Sequence, residues 1–204
     1  MEIERKKVKG EDFINKLLAG ERDFYGIELE YSFDLSAHEL FPKLNAYLRN
    51  EYLSHNPVVI NNSDLSGIRG TGLYLPYLKA ESCIVWNANF EHCTLNFTSF
   101  RSTDFTYTVF RHTDLDHSDL QNANLQYAHF DHSNLYFADL RNANLEFARL
   151  EGTDLVLADL RGAKNLGKTQ NLRAAALAET RTTRKEEEIV RYLLEEGNPL
   201  EVEG

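Results

Sequence analysis

Two cysteines are all that 204 residues contain, and Cys83 and Cys93 stand ten residues apart with no CxxC beside them, so neither a disulfide framework nor a thiolate metal site is expected. Apolar runs are short as well. None approaches the roughly 18 residues of a membrane-crossing helix. The chain opens on a charged stretch and then offers only Ile14, Leu17 and Leu18, which lacks the order of a signal peptide. Cytoplasmic residence is therefore expected, with no membrane and no direct nucleic-acid partner. There is no nucleophile elbow, no phosphate-binding Walker loop and no zinc-ligand spacing. Gly67, Gly70 and Gly72 cluster, but without a strand-turn-helix setting they read as an irregular corner. No enzyme, no cofactor and no metal are expected.

What the chain does contain is a period of five. From Val85, Phe90 and Leu95 to Leu150, Leu155 and Leu160, every fifth residue is large and apolar, without a miss. Five steps along an α-helix rotate each residue roughly 140° from the last, and five steps along a strand flip the face. The period must therefore include a corner. Two residues before each large residue stands a small one, as in Cys83, Ala88, Cys93, Thr98, Ser118 and Ala158. Residues two apart in an extended piece share a face. Each unit thus reads as a short strand piece with two inward residues, then a corner of about three residues that faces water, and the chain reads as an all-β solenoid. Cys83 and Cys93 fall on the small inward positions and read as packing residues.

Units such as Asn122-Ala123-Asn124-Leu125-Gln126 and Thr153-Asp154-Leu155 resemble the A(D/N)LXX consensus of the pentapeptide-repeat family. The resemblance runs from about Asn61 to Leu166, loosely at first and strictly from Val85, and returns between Arg22 and Leu29. It implies a right-handed quadrilateral β-helix with four units and 20 residues per turn. It also implies two functional expectations: an interaction or structural module without assigned biochemistry, or a DNA mimic that binds type II topoisomerase and modulates quinolone sensitivity.

Around the repeats the sequence divides further. Residues 1–35 read as an N-terminal cap and first coil, with Arg5, Lys6, Lys7 and Lys9 on a solvated edge strand. Residues 36–60 read as a helical insertion, opened by the capping box Ser36-x-x-Glu39 and Pro42, with Leu44, Tyr47, Leu48 and Tyr52 on one stripe. Residues 61–166 form the β-helix. Residues 167–204 read as a helical cap, with the box Thr183-x-x-Glu186, an acidic turn Glu186 to Glu188, and Ile189, Val190, Leu193 and Leu194 before Gly197. That segment would either close the solenoid or form a homodimer.

With 20 residues per turn, outward residues sort into columns spaced by roughly 4.8 Å, the distance between strands. Tyr107, Tyr127 and Phe147 form one apolar column, and Phe97, Phe137 and Leu157 another, interrupted by His117. Exposed apolar rows point to contact. Asp119, Asp139 and Asp159 form a third column that could be an acidic strip, with Arg101, Arg141 and Arg161 nearby. Together these are the candidate surface for an unidentified protein partner. Glu91, Arg111 and Asp131 alternate in sign. His92, His112 and His132 stack in a column that lacks an evident carboxylate to orient a metal-bound imidazole. The segment 61–165 holds 13 acidic and 8 basic residues, a modest excess for a DNA mimic.

Overall fold

The computed structural model describes residues 4–172 and, beyond them, 175, 177, 180–185, 188 and 190. Glu186, Ile189, Leu193, Leu194 and Gly197, on which the expected C-terminal helix depends, lie outside the described residues. A chain with only three inward-outward-inward residues per side cannot form long strands. Instead, single parallel bridges join each unit to the one 20 residues on, as in Val59 to Lys79, Asp64 to Ile84, Arg69 to Asn89 and Tyr74 to Thr94. Four such columns run along the axis, and they define four faces in that order. The inward residues form one continuous core, with Phe105, Phe110, Leu115, Leu120 and Leu125 wholly buried.

The small inward position has a polar duty that alanine does not show. Thr103 Oγ1 donates to Ala80 O, Thr108 Oγ1 to Val85 O and Ser133 Oγ to Phe110 O, each at 2.6 Å and each to the preceding turn. Cys83 Sγ and Cys93 Sγ take the same place, donating to Ile60 O and Gly70 O at 2.9 and 3.0 Å. A buried hydroxyl without a partner would cost about 1–3 kcal/mol. Thr103, Thr108 and Ser133 each stitch two turns together in this way, whereas Thr98 Oγ1 donates within its own corner, to Leu95 O.

The loose stretch before Val85 is in register. Its inward pairs exchange size: Ile68 precedes Gly70 and Leu78 precedes Ala80, all within the core. Space left by Gly70 is taken by the Phe90 ring, 3.5 Å from where a Cβ would stand. Gly70 N and Gly72 N make the regular ladder bonds to Asn89 O and Glu91 O. The glycine cluster is therefore part of the regular coil, and the expectation of an irregular corner is corrected.

The N-terminal part adds a helix to the expected edge strand. Strand β1 (Lys6–Val8) pairs in parallel with β2 (Ile27–Leu29), but between them lies helix α1 (Gly10–Leu18), which buries Phe13, Ile14 and Leu17. Those positions, four apart with a neighbour, carried a helical period. Bridges from the first coil to the next span 35 or 36 residues instead of 20, as in Asp34 to Arg69 and Glu28 to Asp64. The extra chain includes helix α2 (Phe41–Arg49), which buries Leu44 and Leu48. Its start is not the capping box. Ser36 Oγ instead donates to Asp34 Oδ1 at 2.6 Å, in a turn completed by Ala37 N, and α2 begins after Leu40 without a side-chain cap. Tyr52 lies past the helix and is 82% exposed, so it leaves the expected stripe.

Helix α2 also closes a gap in the ladder. On the fourth face Thr94 N donates to Leu73 O of the preceding turn, whereas Tyr74 has no preceding strand to meet among the described residues. The Asn45 carboxamide stands in for it, accepting from Tyr74 N and donating to Gly72 O, both at 2.9 Å. Arg22 ties the two helices together, donating to Leu17 O at the end of α1 and to Tyr47 and Glu51 at and after α2.

Candidate interaction surface

The outward chemistry is set by the corners. Most corners close with a bond such as Cys93 N to Phe90 O, and the third residue takes a left-handed backbone. His92, Phe97, Tyr107, His117, Asn122 and Leu157 all have φ between 54° and 60°. Glycine or asparagine suits that conformation, and a bulky residue there carries a cost of roughly 1–2 kcal/mol. Aromatic residues at these positions call for a compensating interaction. It is supplied by stacking, because residues 20 apart lie one strand spacing apart along the axis.

Two aromatic ladders result, on diagonally opposite corners. One corner stacks Tyr107 on Tyr127 at 4.8 Å and Tyr127 on Phe147 at 5.1 Å. The other stacks Tyr77, Phe97, His117 and Phe137 with ring centroids 5.2, 4.8 and 5.0 Å apart. His117 therefore continues the ladder rather than interrupting it, held by Asp116 Oδ1 at 2.6 Å from Nδ1. Phe97, Tyr107, Tyr127 and Phe137 are 42, 48, 36 and 41% exposed, while Phe147 and Leu157 are half-buried. Tyr77, Tyr136 and the exposed Trp86 also belong to these corners. Extending the 20-residue register upward from Phe97 would have found Tyr77 in the sequence.

The aspartate column is not a free anionic strip. Asp119 faces Arg101 at 3.5 Å, Asp139 faces Arg141 at 2.6 Å, and Asp159 is paired with Arg161 and lies 3.9 Å from Arg141. Hydrogen bonding from Arg161 holds the Asp159 carboxyl below the usual carboxylate range. The neighbouring charge column is only partly a cross-coil ladder. Arg111 meets Glu91 at 3.0 Å, but Asp131 is nearly buried and pairs with Arg149.

His92, His112 and His132 stack with planes within 4° and 11° and centroids 4.9 and 5.2 Å apart. Parallel rings at that separation hold like nitrogens farther apart than the ~4.2 Å that two Zn–N bonds can bridge. Among the described residues no cluster of three metal-ligating side chains is present. The cysteines sit in the core, where burial pushes their thiols up to about 11 for Cys83 and about 12 for Cys93. They are chemically quiet at neutral pH.

A protein-family model described as pentapeptide repeats matches residues 87–122, 118–156 and 138–169, in eight copies. Residues 87–169 of the chain are pentapeptide repeats. Proteins of this family fold as right-handed quadrilateral β-helices. Among solved structures, a pentapeptide-repeat protein (Rfr23) from the cyanobacterium Cyanothece 51142 is 21% identical, with 70% of this chain and 96% of that one covered and a TM-score of 0.42. A pentapeptide-repeat protein of the Arabidopsis thaliana thylakoid lumen is 26% identical over 49% of this chain and 66% of that one, with a TM-score of 0.33. QnrB1, a plasmid-mediated fluoroquinolone resistance protein, is 14% identical over 93% of this chain and 96% of that one, with a TM-score of 0.32. None of these likenesses is close enough to transfer a partner or an activity. No curated protein matches the chain.

Proposed function

We propose that this pentapeptide-repeat protein is a non-enzymatic interaction module, wound as the right-handed quadrilateral helix of its family, whose aromatic corners engage a protein partner. The observation that carries this reading is the pair of exposed ladders, which place large apolar side chains outward over an already filled core. Exposed apolar rows of this kind are expected to be covered in a complex. No helix among the described residues is long and apolar enough to cross a membrane, and a cytoplasmic setting belongs to the same proposal. So does dimerisation through residues 167–204, which sedimentation of the full chain checks.

The DNA-mimic reading is weaker, because the aspartates that would imitate phosphates are matched by Arg101, Arg141 and Arg161. Purified gyrase should therefore supercoil DNA equally well with and without saturating protein. Inhibition at low micromolar concentration would reverse the order of the two readings. The interaction role is tested with a photo-crosslinking amino acid placed at Phe97, Phe137, Tyr107 or Tyr127, and at Ser102 as control. Cross-links to one protein from the ladder positions alone are expected. Equal labelling from Ser102 would refute it.

A further inference from the structure

The faces that carry the aromatic ladders are poor in cations, the fourth throughout its length. The fourth face and the corner after it comprise residues 73–78, 93–98, 113–118, 133–138 and 153–158, and these contain no lysine or arginine. They do contain Asp114, Asp116 and Asp154, none of which is ion-paired to a lysine or arginine among the described residues. The first face answers its acids with Arg141 and Arg161, the third with Arg149, and the opposite aromatic corner with Lys168 on Glu146, while Asp64 and Asp104 of the second face are held by Ser66, Thr106 and Asn124. The fourth face sets three such carboxylates beside an exposed ladder, Tyr77, Phe97, His117 and Phe137, where the second face sets two, Asp64 and Asp104, beside the other ladder.

From this we infer that the fourth face and its aromatic corner form a docking surface for an extended, arginine-rich segment of a protein partner, an inference that rests on the interaction role proposed above. The chain's own arginine illustrates the chemistry. Arg49 of α2 lies over the Tyr74 ring at 4.4 Å, at the upper end of this same face, and no basic side chain follows below it. The stems of arginine side chains cover ring edges while their heads reach carboxylates. Tyr136, turned 73° from Phe137, adds a ring set across the ladder. Spacing suits an extended peptide: Asp114 and Asp154, two turns apart, are separated by about 10 Å at the strand spacing, which is the reach of three extended residues. A second copy of this chain does not fit, since its fourth face would bring acid against acid.

The test uses the full chain and a fluorescent nonapeptide with arginine at every third position and glycine between, followed by anisotropy at low and moderate salt. The variants Asp114→Asn, Asp116→Asn and Asp154→Asn, combined, should weaken binding at least tenfold. Asparagine already occupies Asn134 on the same face and Asn96 at the same corner position, so the coil tolerates it. The control removes as many charges elsewhere, through Glu81→Gln, Glu91→Gln and Glu151→Gln, and should change binding less than twofold. Phe97→Asn with Phe137→Asn should also weaken it several-fold, and asparagine suits the left-handed corner. Equal loss in the control, or no binding by the parent chain, overturns the proposal. Cross-links that form only from Tyr107 and Tyr127 would leave the interaction role standing and refute this face.

Discussion

Asn45 is the residue at which the fold's logic is most exposed to test. Its carboxamide replaces a strand that the chain does not supply, meeting Tyr74 N and Gly72 O at 2.9 Å each. Replacing Asn45 by alanine removes both bonds, at a net cost of about 1 kcal/mol apiece. Alanine returns roughly 0.6 kcal/mol as the better helix former. The expected loss is therefore about 1.5 kcal/mol, felt at the first full turn and its helix rather than along the whole coil, because solenoid stability is built from neighbouring units. Hydrogen exchange is the suitable assay. The Tyr74 amide should exchange about tenfold faster, in line with roughly 1.4 kcal/mol per decade, while the amides of Asn124 and Asn134, several turns away, should not change. Asn50→Ala is the matched control, since the Asn50 side chain only returns to Ala46 O on the exposed end of α2. Unchanged exchange at Tyr74 would show that the carboxamide does not substitute for a strand.

Other outcomes follow from the same geometry. Gly152→Ala should lower stability by about 1–2 kcal/mol, because Gly152 has φ +62° and a Cβ there would stand 2.5 Å from His132 Nδ1; adding His132→Ala should restore part of the loss, and thermal melts that show no rescue would place the cost in the backbone alone. Phe110→Ala, which empties a wholly buried site stacked against Phe90 and Phe130, should cost about 3–5 kcal/mol in urea unfolding, and a loss under about 1 kcal/mol would contradict the filled core. Acid should act in two stages. The His129 imidazole is held below its ordinary value by burial and then by Arg149, so its contribution is present above about pH 6.5 and is lost as pH falls through the folded value. Asp159 and Glu146, lowered by hydrogen bonds from Arg161 and from Lys168, stabilise the folded chain above the ordinary carboxylate range and cease to do so as pH falls through their folded values. A melting temperature that declines gently below about pH 6.5 and steeply below about 4 is expected, with the first step absent in His129→Asn.

The solenoid was legible because its inward positions repeat one constraint: a small residue, then a large one two places on. Helix α1 was harder to see, since Phe13, Ile14 and Leu17 cover less than three turns and adjoin a run of charges that reads as an edge strand. The start of α2 was misplaced for a different reason. Ser36 and Glu39 have the spacing of a capping box, but Asp34 lies within reach of the Ser36 hydroxyl and takes it first. Sequence spacing cannot rank two local partners of one hydroxyl; the position of the preceding coil decides between them.

The outward surface obeys a weaker rule, and the corner residue shows why. A left-handed backbone favours glycine or asparagine, and Asn122, Asn142, Gly152 and Gly162 follow that preference. Tyr77, Phe97, Tyr107, Phe137 and Phe147 do not, and stacking offsets their backbone cost only where the residue 20 places away is also a flat ring. His117 fits this rule, since an imidazole between Phe97 and Phe137 preserves both stacks. An aromatic side chain chosen solely to satisfy the corner would be a poor choice beside asparagine. Its presence in two columns, with ring edges left exposed, is therefore better explained by what the corners meet than by what the coil requires.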